Sequence, residues 1–208
     1  MLRQPRGLAG RKKLQSIIDA ASRIVLAQGL DQAKMSAIAT AAGVSTATVY
    51  AYFPSKDDLF RAVVKKVAGN IEVELLEALH APDGDPIEKL ALAIMGRLND
   101  PELRALFRIM GEQGRKFPDA LAFFDSHSRL KAHQSAVALF ERLAREGRFT
   151  HGVAEMASRQ LLGMLKHETL VLGILNGTDD PGPRNAAEIA REAVKTLRAR
   201  FGRDGEAL

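Results

Sequence analysis

The stretch from Ser36 to Lys56, SAIATAAGVSTATVYAYFPSK, limits what this chain can fold into more than any other. It reads as two short helices joined by a tight turn, then a break and the start of a further helix. Ala39, Gly43 and Val49 set that geometry. Helices that cross near a right angle bring their backbones together, and Ala39 has almost no side chain to obstruct the approach. Gly43 falls where the chain must turn, and glycine takes a positive φ at no steric cost. Val49 is placed to plug the crossing from the second helix. An alanine, a glycine and a branched aliphatic at these offsets describe a helix-turn-helix, whose second helix can enter a DNA major groove.

Charge is distributed to match. Residues 1–66 hold 11 of the 30 Lys and Arg and 4 of the 25 Asp and Glu, so the net charge of +5 is a basic head on a nearly neutral body. That asymmetry fits a head that meets a polyanion. Arg3, Arg6, Arg11, Lys12 and Lys13 all precede Asp19, the first acidic residue, with Gly7 and Gly10 loosening the start of the segment. An arm of this kind can lie along phosphates or reach into a minor groove. It can equally be a disordered tail. The chain has no Cys, which excludes a disulfide framework or thiolate metal site and fits a reducing cytosol. No apolar run approaches the ~18 residues needed to cross a bilayer. The basic N-terminus also lacks the apolar segment of a signal peptide. A cytoplasmic protein away from membranes is expected.

Leu14, Ile17, Ile18, Ala21, Ile24 and Val25 recur at helical spacing, and Gly29 with Leu30 supplies a left-handed stop. The second helix is expected from about Met35 to Ala42, and the third from Thr46 to about Tyr52 with Ser45 as its N-cap. Pro54 closes it, and Ser55 caps a fourth helix, about 55–80, with Asp58 completing a variant capping box. APDGDP, residues 81–86, is the strongest turn signal in the body. Helical patterns follow over Ile87–Leu98, Glu102–Lys116, a long run Pro118–Glu146, Val153–Leu175 and Asn185–Phe201. The expected fold is all-α with about nine helices. Residues 1–54 form a helix-turn-helix domain with an arm over about 1–10. Residues 55–208 form a ligand-binding and dimerisation domain, and helix four links the two.

The segment IATAAGVSTATVYAYFPSKDDLF resembles the N-terminal domain of the TetR family of bacterial transcriptional regulators, over roughly Arg11 to Val67. Ala-Gly-Val, Tyr50, Tyr52-Phe53, Lys56 and Leu59-Phe60 fall as that family has them. FRIMGEQGRKFPDALAFF and LLGMLKHETLVLG are faintly similar to the AefR-like ligand-binding domain. The resemblance implies a homodimeric regulator that binds a double-stranded operator and a small-molecule effector. Family members often carry Thr or Ser where this chain has Lys34, so Ser36 is expected to take over a phosphate contact there.

Ser36, Ser45, Thr46, Ala47, Thr48, Tyr50, Tyr52, Lys56, Arg11 and Lys12 are the candidate DNA-binding residues. Thr can bond base edges or phosphates, and Ala or a Thr methyl can pack on a thymine methyl. Such short side chains need close docking, which Ala51 permits. The phenols of Tyr50 and Tyr52 can reach phosphate oxygens, although Tyr50 can instead pack on the first helix. Lys56 adds a cation beside helix N–H groups that already favour phosphate. No Arg, Asn or Gln stands on the recognition helix for a bidentate base contact. DNA shape and the basic arm are therefore expected to carry much of the selectivity.

In the body, the Val153–Leu175 segment is apolar on nearly every side, with Gly163 and Gly173 open to a close neighbour. With 185–201 it suggests a two-fold four-helix dimer interface; an intramolecular core is the alternative. Phe107, Arg108, Met110, Gln113, Phe117, Phe123, His127, Met164 and His167 are candidate effector contacts, though aromatic and Met residues at helical spacing also make ordinary core. None of His80, His127, His133, His151 and His167 pairs at helical metal spacing. No nucleophile elbow, phosphate-binding glycine loop or dinucleotide fingerprint is present. No catalytic residue, cofactor or metal is expected. The competing reading is an all-helical carrier or enzyme with a vestigial basic head.

Overall fold

The computed structural model describes residues 7–69, 84–167 and 185–203. They form helices α1 (Gly7–Gln28), α2 (Met35–Ala41), α3 (Thr46–Tyr52), α4 (Lys56–Gly69), α5 (Pro86–Leu98), α6 (Pro101–Gln113), α7 (Pro118–His127), α8 (Arg129–Arg145), α9 (Ala154–Lys166) and α10 (Ala186–Phe201). The fold is all-α. The only extended pairing among the described residues is an isolated bridge between Phe149 and Gly202. Two compact units result: residues up to Gly69 together with Ala105–Phe124, and the remainder of the chain.

In the first unit, α1 packs on α2 and α4, and Ile17, Ala20, Ala21 and Val25 share a buried core with Ile38, Val49, Phe53, Leu59, Phe60 and Val63. The α1 helix stops at Gly29, whose φ is +81° and whose N–H donates to the Val25 carbonyl at 2.9 Å. Leu30 folds back into the core beside that stop. The expected box at the start of α4 is formed: the Asp58 N–H donates to Ser55 Oγ at 3.1 Å, and Ser55 Oγ donates to the Asp58 carboxylate at 2.7 Å. The expected continuation of this helix to about residue 80 lies outside the described residues.

The second unit is centred on Leu90, Met95, Phe140, Phe149, Leu161, Leu165, Ala190 and Leu197. The Phe140 and Phe149 rings stack with centroids 4.9 Å apart, and Phe201 leans on Phe149 at 5.8 Å. Asp85 caps α5 by accepting the Ile87 N–H at 3.0 Å and receives Arg198 of α10 at 2.8 Å. The run expected to be continuous over residues 118–146 is two helices. It breaks at Ser128, a turn residue between the two with φ −114° and ψ −74°. The first part of the expected 153–175 helix is α9. Leu170, Val171, Leu172, Gly173 and Ile174, expected to complete its apolar surface, lie outside the described residues.

Candidate nucleic-acid interface

The α2–α3 crossing is built as a close backbone approach requires. Ala39 and Ile38 of α2 and Val49 of α3 are buried, with Val49 fully enclosed. Gly43 takes φ +67°, and the turn is closed by the Gly43 N–H on the Thr40 carbonyl (3.1 Å) and the Val44 N–H on the Ala39 carbonyl (3.0 Å). Ser16 of α1 donates to the Ala42 carbonyl at 3.1 Å, which fastens the turn to the brace behind it.

Ser45 is the α3 N-cap, accepting the Thr48 N–H at 3.1 Å, and its hydroxyl lies 2.8 Å from Thr48 Oγ1. Ala47, Tyr50 and Ala51 face solvent, while Thr46 and Thr48 are half-exposed. The leading face of α3 is therefore short-armed and open. Ser36 is exposed, and its carbonyl accepts Thr40 Oγ1 at 3.1 Å. Lys34 is the residue before α2 and provides no side-chain cap. Arg11 and Lys12 are exposed but lie on the first turns of α1, so this part of the basic segment is helical.

The two tyrosines differ in a way their positions alone do not reveal. Tyr50 is 48% exposed. Tyr52 is half-buried, and its hydroxyl donates to the Gly10 carbonyl of α1 at 3.4 Å. Lys56 is similarly engaged: its Nζ donates to the Asp31 carbonyl in the α1–α2 loop at 2.7 Å.

The candidate effector contacts are divided between the two compact units. Phe107, Arg108, Met110, Gln113, Phe117 and Phe123 belong to the first compact unit, whereas His127, Met164 and His167 belong to the second. Phe117 is buried against Phe60 with centroids 4.9 Å apart, Phe107 meets Phe124 edge-on at 4.8 Å, and Met110 is buried. Arg108 is half-buried. Gln113 donates to the Asp31 carboxylate at 3.2 Å. The Phe123 ring lies 5.6 Å from Lys65 Nζ. His127 pairs with Ser126 at 2.9 Å, Met164 is half-buried and His167 is exposed. A surface cleft of about 370 Å³ lies at the α8–α9 corner, between Glu141, Arg145, His151 and Glu155.

Sequence reasoning missed Asp31, Asp57, Arg61 and Asp119, which join the α6–α7 corner to the head. Arg61 Nε donates to Asp119 at 2.7 Å, and Lys116 lies 3.8 Å from Asp57. The guanidinium hydrogen bond holds the Asp119 carboxyl below the ordinary carboxylate range and raises Arg61 in return. These partners are far apart in the chain, so no local motif announces them. Among the described residues no cluster of His and carboxylates fits a metal ion, and no helix is long and apolar enough to cross a membrane.

Residues 17–63 match the family described as bacterial regulatory proteins, tetR family. Residues 86–203, over half of the chain, match the AefR-like transcriptional repressor C-terminal domain. The chain belongs to the TetR family. Among curated relatives of this TetR-family chain is the fatty acid metabolism regulator protein of Bacillus subtilis (strain 168), 37% identical over 84 residues that cover 40% of this chain and 43% of the relative. The repressor BepR of Brucella suis biovar 1 (strain 1330) is 23% identical over 158 residues, covering 73% of this chain and 76% of BepR. The match spans under half the length of the first of these relatives, and 46% of the regulator BetI of Klebsiella pneumoniae (strain 342). A crystal structure of a TetR-family regulator from Mesorhizobium loti MAFF303099 superposes with a TM-score of 0.80 at 26% identity, covering 95% of this chain and 100% of that one. The curated relatives that match are transcriptional regulators, as the helix-turn-helix geometry implies.

Proposed function

We propose that this TetR-family regulator is a homodimeric repressor that holds a palindromic operator and is released by a small-molecule effector. The observation that carries the DNA-binding part is the open leading face of α3. Ala47, Tyr50 and the half-exposed Thr46 and Thr48 point away from a crossing whose buried side is Ile38, Ala39 and Val49. Arg11 and Lys12 supply exposed cations for flanking phosphates. Ser36, Ser45, Tyr52 and Lys56 complete the proposed interface. The geometry favours Tyr50 over Tyr52 for phosphate contact and gives Lys56 a bond within the head. Dimerisation is assigned to the helices over 153–175 and 185–201, and effector binding to the body. Helix four links residues 1–54 to that body. The proposed site of action is the cytoplasm, without a catalytic role or a cofactor.

The test is a fluorescence-anisotropy titration with the DNA upstream of the protein's own gene and a scrambled duplex, at ~150 mM salt where non-specific binding is weak. Preference for the upstream DNA is expected. The double variant Arg11→Ala, Lys12→Ala should weaken binding to both duplexes and reduce the salt slope by about 2. Equal affinity of the wild type for both duplexes favours the carrier or enzyme reading instead.

A further inference from the structure

Asp31, in the loop between α1 and α2, is held from two sides. Gln113, the last residue of α6, donates its side-chain amide to the Asp31 carboxylate at 3.2 Å. Lys56, the first residue of α4, donates its ammonium to the Asp31 carbonyl at 2.7 Å. The loop then runs to Lys34, which leads into α2 without a side-chain cap. The Lys34 carbonyl accepts the Ile38 N–H at 3.1 Å, but no side chain caps the start of α2, and the Asp31 node upstream supplies a side-chain anchor instead. The position of α2 matters because α3 packs on it, with Ile38 and Ala39 of α2 buried.

The corner after Gln113 is itself anchored on the same head. Lys116 lies 3.8 Å from Asp57, Asp119 receives Arg61 at 2.7 Å, and the buried Phe117 ring sits 4.9 Å from Phe60. Gln113 therefore extends from a fixed platform and is not a free surface amide. The sequence marks it as a candidate effector contact, but its amide reaches the loop ahead of the helix-turn-helix.

We infer that Gln113 is a positioning residue for DNA recognition: through Asp31 it sets the angle at which the α2–α3 pair is presented to the groove. The inference rests on the DNA-binding reading above. It requires that a change at Gln113 alter the choice of sequence while leaving general attraction to phosphates as it was.

A charge-exchange series separates these effects. Gln113→Glu places a carboxylate against that of Asp31 and breaks the node. Adding Asp31→Asn restores a donor facing the introduced carboxylate and returns the net charge to the wild-type value. Affinities for the upstream duplex and the scrambled duplex are measured for each, together with thermal melting of the free proteins. Gln113→Glu should lose about three- to fivefold in the ratio of the two affinities, the scale of an exposed polar pair. The double variant should recover that ratio, and melting temperatures across the series should differ by no more than about 2–4 °C. The inference is overturned if Gln113→Glu keeps the wild-type ratio, if it weakens both duplexes equally, or if the double variant fails to recover. A wild-type protein without preference for the upstream duplex removes the DNA-binding reading, and this inference with it.

Discussion

Ser45 holds the first turn of α3 through two bonds, one to the Thr48 N–H at 3.1 Å and one to the Thr48 hydroxyl at 2.8 Å. Ser45→Ala removes both, and a lost N-cap costs about 1 kcal/mol. The expected result is a urea midpoint lowered accordingly, with weaker operator binding because Thr48 loses its restraint. Gly43 isolates a different contribution. Among the described residues no atom lies within 4 Å of a Cβ added there, so the cost of Gly43→Ala is that of φ +67°. That cost is roughly 1–2 kcal/mol, again read from urea unfolding. Both features are legible in the sequence because each rests on neighbours a few residues away. The tyrosines are not. Tyr52 and its acceptor Gly10 are 42 positions apart, and Lys56 and Asp31 are 25 apart. Spacing identifies such side chains as polar groups on the recognition unit but does not show which phenol or ammonium is already engaged inside it.

At the level of elements, helices announced by caps and stops are close to their expected positions, while the break at Ser128 is hidden. FFDSHSRLK contains neither Pro nor Gly, so the hydrophobic pattern runs on. What it does contain is Asp, Ser, His and Ser in succession, residues whose side chains compete for backbone groups and weaken a helix. The placement of α7 against α4 is also invisible locally, since Arg61 and Asp119 are 58 positions apart. This contact has a pH signature. The hydrogen bond from Arg61 depresses the Asp119 carboxyl, so the folded state binds that proton less readily than the unfolded chain. The contribution is complete above the ordinary carboxylate value of about 4 and is lost as pH falls through the depressed one. Asp119→Asn should therefore be less stable than wild type near neutrality. The gap in urea midpoint should close as the pH is lowered toward about 3. Lys166, at the end of α9, works in the opposite sense. Burial, with Arg129 nearby, lowers its pKa, so its charged form is penalised by folding. Lys166→Met should raise the urea midpoint at pH below the lowered value, and the gain should vanish once pH exceeds the ordinary Lys value of about 10.4.

For the whole molecule, the proposed repressor needs two heads held a fixed distance apart, because half-sites one helical turn apart sit about 34–36 Å from each other. The surface assigned to that task includes α9, where Met156 is 41% exposed and Gly163 faces solvent. A glycine inside a helix costs about 1 kcal/mol relative to alanine. Nothing among the described residues requires it here, since none of their atoms lies within 4 Å of an added Cβ. A partner helix packed closely over Gly163 would account for it. Two substitutions distinguish a tolerated glycine from an interfacial one. Gly163→Ala should stabilise the chain against urea by up to about 1 kcal/mol if the glycine is merely tolerated, and should weaken the dimer if a partner helix packs over it. Gly163→Leu starts from a Cβ that meets none of the described residues, and its side chain occupies the space a partner helix needs. Sedimentation should then find the wild type as a dimer and Gly163→Leu as a monomer. The monomer should bind a single half-site as well as the wild-type protein does, yet lose the gain from a second half-site at one-turn spacing. Persistence of the dimer in Gly163→Leu, with full-site affinity unchanged, would move the two-fold contact away from this face of α9.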